Sequence, residues 1–344
     1  MFFKKQINRF FITITFILSI IVSINYLIDP MWTFQKKFIL HQHQSDINEG
    51  QQKINLIYFH RPSFQTLFIG NSRTTYINVS TIKSTKCFNL GINNLEPSQF
   101  NDYISYANKY NSDTLKTIII TLDFQSYIDD KKNIKTNKIN NFRNNTESPL
   151  YRYKLLLSYD NLIFSFKNIR NTLFDKYKKR DKTYNKDFIV SVYKKNPDII
   201  KNRVNNYLKK FHKKDISLNH TYKTTLNNIK DKNKNIKFIA YISPLPLPLL
   251  RKYAGDERRF KIYKKWIKDI IDTFGYVYNY SYENNITTNY ADNFLDPTHF
   301  YPNNGQLILS DLFKENKNKF GMLINQNNYD TKIKILKKQL VIKK

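Results

Sequence analysis

Apolar and polar positions along the 344 residues fall into two rhythms, one of alternating strands and helices and one of scattered polar stretches, preceded by a wholly uncharged run. That run, FFITITFILSIIVSINYLI at residues 10 to 28, holds 19 positions behind Lys4, Lys5 and Arg9. It is long enough for one helix to cross a hydrocarbon core, and its basic flank predicts a cytoplasmic N-terminus. The following NYLIDPMWTF is bulky and offers no small-residue cleavage site. Residues 1–29 therefore read as a cytoplasmic flank and retained anchor in the cytoplasmic (inner) membrane, with residues 30–344 outside the cytoplasm. A buried N-terminal helix is the competing reading.

Beyond the anchor, residues 46 to 61 show helical spacing and lead into TLFIG (66–70), a short apolar run closed by glycine. CFNLGI (87–92) repeats that form. PSQFNDYISYANKY (97–110) opens on proline and sets Phe100, Tyr103, Ile104 and Ala107 on one helical face. The apolar runs in TLKTIIITLDF (114–124) and NIKFIAYISPLP (235–246) suit strands covered on both faces. A helix is predicted over 256 to 274, carrying Phe260, Tyr263, Ile267, Ile270, Ile271 and Phe274 inward. YVYNYS (276–281) is a last strand and NGQLILSDLFKEN (304–316) a last helix. The alternation predicts a parallel sheet in a three-layer α/β domain spanning residues 30–320. Between 130 and 234 the rhythm breaks into a basic, mostly helical insertion at the sheet edge, with SPLYRYKLLLSYDNLIFSFKNIRNTLF (148–174) as one or two helices. Residues 321–344 read as a basic C-terminal tail.

Composition changes this picture little. With 41% apolar residues, 25 Tyr and 26 Phe, the chain has the means to build a core. A formal charge of +30 raises nucleic acid or an anionic surface as partners. No zinc-finger spacing, aromatic strand signature or basic helix accompanies the charge, so no nucleic acid partner is assigned. The lysines, densest over 176 to 237, read as a solvated surface or as attraction toward acidic polymers and anionic lipid. Cys87 is the only cysteine, which excludes an intramolecular disulfide, and its place at the start of a strand suits a core thiol better than a nucleophile. His41, His43, His60, His212 and His220 show no metal-ligand spacing with acids, so no metal and no cofactor are assigned.

Two stretches carry chemistry: FIGNSRTT (68–75) and FLDPTHFYPNNG (294–305). A serine hydroxyl is a poor nucleophile until a base takes its proton, and the base needs a group to hold it. Ser72 lies just past a strand end, where reacting groups of an open α/β sheet collect and where the N–H groups of a new helical turn face a developing oxyanion. Asp296 stands three residues before His299, a spacing that brings a carboxylate onto one ring nitrogen and leaves the other for Ser72. An Asx-type turn with a surface histidine explains the same four residues. Arg73 reads either as a ligand for an anionic substrate group or as half of a buried pair with an acid on the sheet.

These stretches, with FNLGIN (88–93), IDPMW (28–32) and YISPLP (241–246), resemble the SGNH (GDSL-like) hydrolase superfamily, most closely its membrane-anchored extracytoplasmic acyltransferases and esterases. The resemblance covers residues 64 to 125 and 235 to 316. It implies a flavodoxin-like α/β/α fold, Ser72 as nucleophile, His299 as base and acid, Asp296 as its orienting group, and the Gly91 N–H in the oxyanion hole. It further implies an envelope polysaccharide or related polymer as substrate, O-acetyl as the group moved, and a membrane acyl-donor protein as partner. Two departures stand out. Asn71 replaces the Asp of the usual G-D-S, and Asp123, in TLDF, occupies the place of an oxyanion-binding Asn. An ionised Asp donates no hydrogen bond, so another donor is needed, and Asn94 is the candidate. A non-catalytic scaffold that binds a polymer or partner through the basic insertion is the second function class.

Overall fold

The computed structural model describes residues 2–34, 40, 42–45, 47–128, 138–210, 218–313 and 320–341. In chain order the helices are α1 (Phe2–Ile28), α2 (Glu49–His60), α3 (Phe100–Tyr110), α4 (Phe124–Tyr127), α5 (Lys138–Thr146), α6 (Tyr151–Leu156), α7 (Tyr159–Leu173), α8 (Pro197–Lys210), α9 (Tyr222–Lys232), α10 (Leu247–Ala254), α11 (Glu257–Phe274), α12 (Asn285–Thr288), α13 (Tyr290–Asn293), α14 (Pro302–Leu312) and α15 (Tyr329–Leu340). The strands are β1 (Thr66–Gly70), β2 (Cys87–Gly91), β3 (Thr117–Thr121), β4 (Thr183–Tyr184), β5 (Val190–Ser191), β6 (Lys237–Ile242), β7 (Tyr276–Asn279) and β8 (Met322–Asn325). They fall into two compact units, one of Met1–Pro62 with Asn137–Tyr193 and one of Ser63–Thr136 with Lys194–Lys344. Of the insertion expected over 130–234, residues 137–193 group with the first unit and residues 194–234 with the second.

The second unit is α/β. Its six-stranded sheet runs β2-β1-β3-β6-β7-β8, with the first five strands parallel and β8 antiparallel to β7. All five residues of β1 are buried, as are Ile118, Ile119 and Ile120 of β3, the continuous apolar pattern of a sheet covered on both faces. The helices supply the cover. α3 buries Phe100, Tyr103, Ile104 and Ala107, the face its spacing predicts. α11 starts where the Asp256 carboxylate accepts from the Arg259 N–H at 2.8 Å, a side-chain cap that satisfies an orphan donor. It ends at Gly275, whose φ of +87° suits a residue without a Cβ. Between those ends α11 buries Phe260, Tyr263, Trp266, Ile267, Ile270, Ile271 and Phe274. Trp266 packs on Phe124 with ring centroids 5.3 Å apart and donates its indole N–H to the Tyr222 hydroxyl of α9 at 3.2 Å.

The basic tail expected over 321–344 is instead a strand and a helix. β8 pairs with β7 from Tyr276–Asn325 to Asn279–Met322. α15 buries Tyr329, Ile333, Leu336 and Leu340, while Lys332, Lys334, Lys337 and Lys338 lie on its remaining faces. The spacing of those four inward residues is helical; the lysines between them mask it when charge alone is read.

The first unit is mainly helical, with the hairpin β4–β5. Its core gathers around Trp32, which is fully buried and donates to the Gln44 side chain at 2.6 Å. Gln44 in turn donates to the Ile28 carbonyl that closes α1, at 2.9 Å. Beside it Lys182 pairs with Glu49 at 2.7 Å, and burial pulls Lys53 down to about 8 against the attraction of Glu49. Among the described residues α1 is the one helix long and apolar enough to cross a membrane.

Because Leu336 has no solvent exposure, Leu336→Ala is expected to cost about 2–5 kcal/mol of stability. A fall in the melting temperature of the full chain reads this directly; an unstructured tail would leave it unchanged.

Candidate functional site

The carboxyl ends of β1, β2 and β3 lie on one edge of the sheet, because the three strands are parallel and in register. From β1 the chain turns through Asn71, Ser72 and Arg73 into one tight 3₁₀ turn, Thr74–Tyr76. That turn is pressed onto the neighbouring strands. A Cβ at Gly91 would come within 2.7 Å of the Thr75 nitrogen, and one at Gly70 within 2.6 Å of the Thr121 Cβ. Glycine at 91 lets the turn's backbone approach this closely, and glycine at 70 leaves room for the Thr74 and Thr121 side chains. Hydroxyl and amide groups then fasten the turn. Thr74 Oγ1 bonds Thr121 Oγ1 of β3 at 2.7 Å. Asn89 of β2 donates from Nδ2 to the carbonyls of Thr74 and Ile77 at 2.8 and 2.7 Å.

The second stretch approaches the same edge as a small closed loop. Leu295 donates to the His299 carbonyl at 2.9 Å, and Phe294 bridges to Phe300. Asp296 performs both of the tasks that its spacing allows. Its Oδ1 accepts from the Thr298 and His299 N–H groups at 2.7 and 2.9 Å, closing an Asx-type turn. Its Oδ2 lies 2.7 Å from His299 Nδ1. With the carboxylate at Nδ1, the ring proton belongs there, and the Nε2 lone pair faces Ser72 Oγ at 2.7 Å. Burial pushes the Asp296 carboxyl up, but the hydrogen bond and charge of His299 and the two N–H donors outweigh it, so its pKa lies below the ordinary 3.8. The imidazole packs against Tyr76, ring centroids 5.3 Å apart. From α8, Arg203 Nη1 donates to the Leu295 carbonyl at 3.2 Å and holds the loop from outside.

Arg73 ties the two stretches together. Its guanidinium forms an ion pair with Asp123, just beyond β3, and both side chains are almost fully buried. Its Nε donates to the Thr298 carbonyl at 2.9 Å. Asn71 completes the arrangement, donating from Nδ2 to Asp123 Oδ2 and accepting the Arg73 N–H on Oδ1 at 3.1 Å. Of the two readings of Arg73, the structure shows the pair with an acid, so its charge is already matched inside the protein. Asp123 is likewise explained, as the counter-ion of Arg73.

The expected oxyanion donors are placed less simply. The Gly91 N–H donates to its neighbour Asn89 Oδ1 at 2.8 Å, and Asn94 is exposed in a left-handed turn with φ of +56°. The Ser72 N–H, by contrast, meets no hydrogen-bond partner among the described residues. Asn89, Tyr76 and Arg203 support the site without having been singled out in the sequence. Asp123 was singled out there for its place after the apolar strand, and the structure adds its partner, Arg73. Among the described residues no group of three His, Cys, Asp or Glu side chains is arranged to hold a metal. No protein-family model matches the chain, and no curated protein matches its sequence.

Asp123→Asn removes one partner of a buried pair and is expected to destabilise the protein by about 3–5 kcal/mol, read from its melting temperature. The folded Asp296 carboxyl holds its proton less tightly than the unfolded one. Its stabilising contribution is therefore complete above pH 3.8 and fades as pH falls through the lower folded value. Acid titrations of the unfolding transition should accordingly show the advantage of the wild type over Asp296→Asn shrinking in that window.

Proposed function

We propose that the chain is a membrane-anchored serine esterase or O-acyltransferase of the SGNH type, moving a small acyl group, O-acetyl above all, on an envelope polysaccharide or related polymer outside the cytoplasm. The observation that carries the reading is the continuous relay Asp296–His299–Ser72, with both links at 2.7 Å. His299 Nε2 takes the Ser72 proton as Oγ attacks the acyl carbonyl, and the charge that develops on the carbonyl oxygen falls to the uncommitted Ser72 N–H. Protonated His299 then delivers the proton to the leaving alkoxide, which gives the acyl-enzyme. Water or a sugar hydroxyl repeats the sequence in reverse, losing its proton to His299 and releasing Ser72. The order β2-β1-β3-β6-β7 of the parallel strands supports the flavodoxin-like reading, since it matches that doubly wound arrangement with nucleophile and base at the carboxyl edge. The anchor helix and the resemblance support the polymer substrate and a membrane acyl-donor partner.

A specific observation favours the non-catalytic scaffold as the second reading. Gly91 and Asp123 are committed to Asn89 and Arg73, so the oxyanion has fewer donors than the family pattern supplies, and one donor is worth roughly 10²–10³ in rate.

The two readings part on a serine-reactive fluorophosphonate probe, applied to the full chain because residues 1–62 build part of the first unit. Labelling at Ser72 is expected, with loss in Ser72→Ala and a fall of at least about 10²-fold in His299→Ala. A folded wild-type chain that stays unlabelled would leave the scaffold reading standing.

A further inference from the structure

α7 is built inside out. A helix on the surface of a water-soluble protein turns its apolar stripe inward and its polar residues to solvent. In α7 the residues facing the protein are Asn161, Ser165, Asn168 and Asn171, all but fully buried. On the opposite face Tyr159, Phe166 and Leu173, with Phe174 just beyond the helix, are between 53% and 73% exposed. At 3.6 residues per turn the two sets lie on opposing sides of the helix.

Specific bonds fix this orientation. Ser165 Oγ donates to Asn25 Oδ1 of α1 at 2.9 Å. Asn168 Oδ1 accepts from the Ser45 N–H at 2.9 Å, and Asn171 Nδ2 donates to Ser45 Oγ at 3.0 Å. Asn25 in turn donates toward the carbonyls of Leu156 and Ser158, between α6 and α7, at 2.9 and 3.2 Å. Rolling α7 to bury its phenylalanine would break all of these.

Asn25 also sets a depth. The uncharged run of α1 rises about 28 Å over residues 10–28, close to the roughly 30 Å of a bilayer core. Asn25, three residues before the end, then lies about 4.5 Å inside that boundary, and Ser165, bonded to it, shares its depth. α7 is 15 residues long, too short to span. Arg170 lies on the same exposed face, between Tyr159 and Phe174, with Lys167 at its edge; their long side chains can rise to the headgroups while the stems stay among apolar groups. Lys176, Lys178 and Lys179 after the helix are exposed too, against Asp160 and Asp175, a balance that suits anionic headgroups.

We propose that α7 lies flat in the interface of the same bilayer that α1 enters, its apolar face among the acyl chains and its basic residues at anionic phospholipid headgroups. The inference concerns the first unit alone and stands whether or not Ser72 is catalytic.

The test is nitroxide labelling of the full chain in nanodiscs of phosphatidylcholine and phosphatidylglycerol. Phe166→Cys and Leu173→Cys are made separately in a Cys87→Ala background, both at exposed positions that the fold does not need. Collisions with oxygen, which concentrates in acyl chains, are expected to exceed those with a water-soluble nickel chelate several-fold at both sites. Chelate collisions exceeding oxygen at either site would put the face in water and overturn the proposal. Inaccessibility to both reagents would mean that protein covers the face, a second copy included, and would overturn it equally.

Discussion

The buried pair of Arg73 and Asp123 is the constraint from which the site takes its shape. A guanidinium does not lose its proton, so once buried it must be matched and its donors occupied. Asp123 matches it from the end of β3, Asn71 shares that carboxylate, and the Thr298 carbonyl accepts a hydrogen bond from Nε–H. One side chain thereby joins the turn that presents Ser72, the central region of the sheet and the loop that presents His299. The hydrogen-bonded series Asp296–His299–Ser72 is positioned by a group outside it, whose own position is set by the cost of leaving a charge unpaired.

Much of the sheet unit was legible because its physics is local. β1 and β3 are buried on both faces and read as unbroken apolar runs; α3 and α11 carry helical spacing and bury the residues that spacing names. Ser72, Asp296 and His299 were legible as a serine after a strand and an acid three residues before a histidine, and the fold brings the three together. Asp296 also shows why spacing alone leaves two readings open. One oxygen closes a turn and the other holds the imidazole, so the structural and the chemical explanation describe the same residue.

What was not legible depends on partners far along the chain or on a reversed sense of inside. The matching of Arg73 by Asp123 needs β1 and β3 to be neighbours, a fact of topology. The commitment of the Gly91 N–H to Asn89 is a local bend that strand periodicity does not encode. Part of what joins residues 137–193 to residues 1–62 is the set of buried asparagines and serines of α7 with Asn25 and Ser45, and a search for apolar faces passes over those residues. In α15 the inward Ile333, Leu336 and Leu340 were hidden by the lysines among them.

The Asn25 amide has a mechanical consequence. An apolar helix joined through a slack linker spins and slides independently of what it carries. Here the last turns of α1 are gripped, with Asn25 reaching the carbonyls between α6 and α7 and the Gln44 side chain bonded to the terminal Ile28 carbonyl. The helix behaves as an axle keyed to its wheel: whatever fixes the azimuth of α1 fixes the heading of the unit built around Trp32, and a torque applied along its apolar length is delivered to that unit.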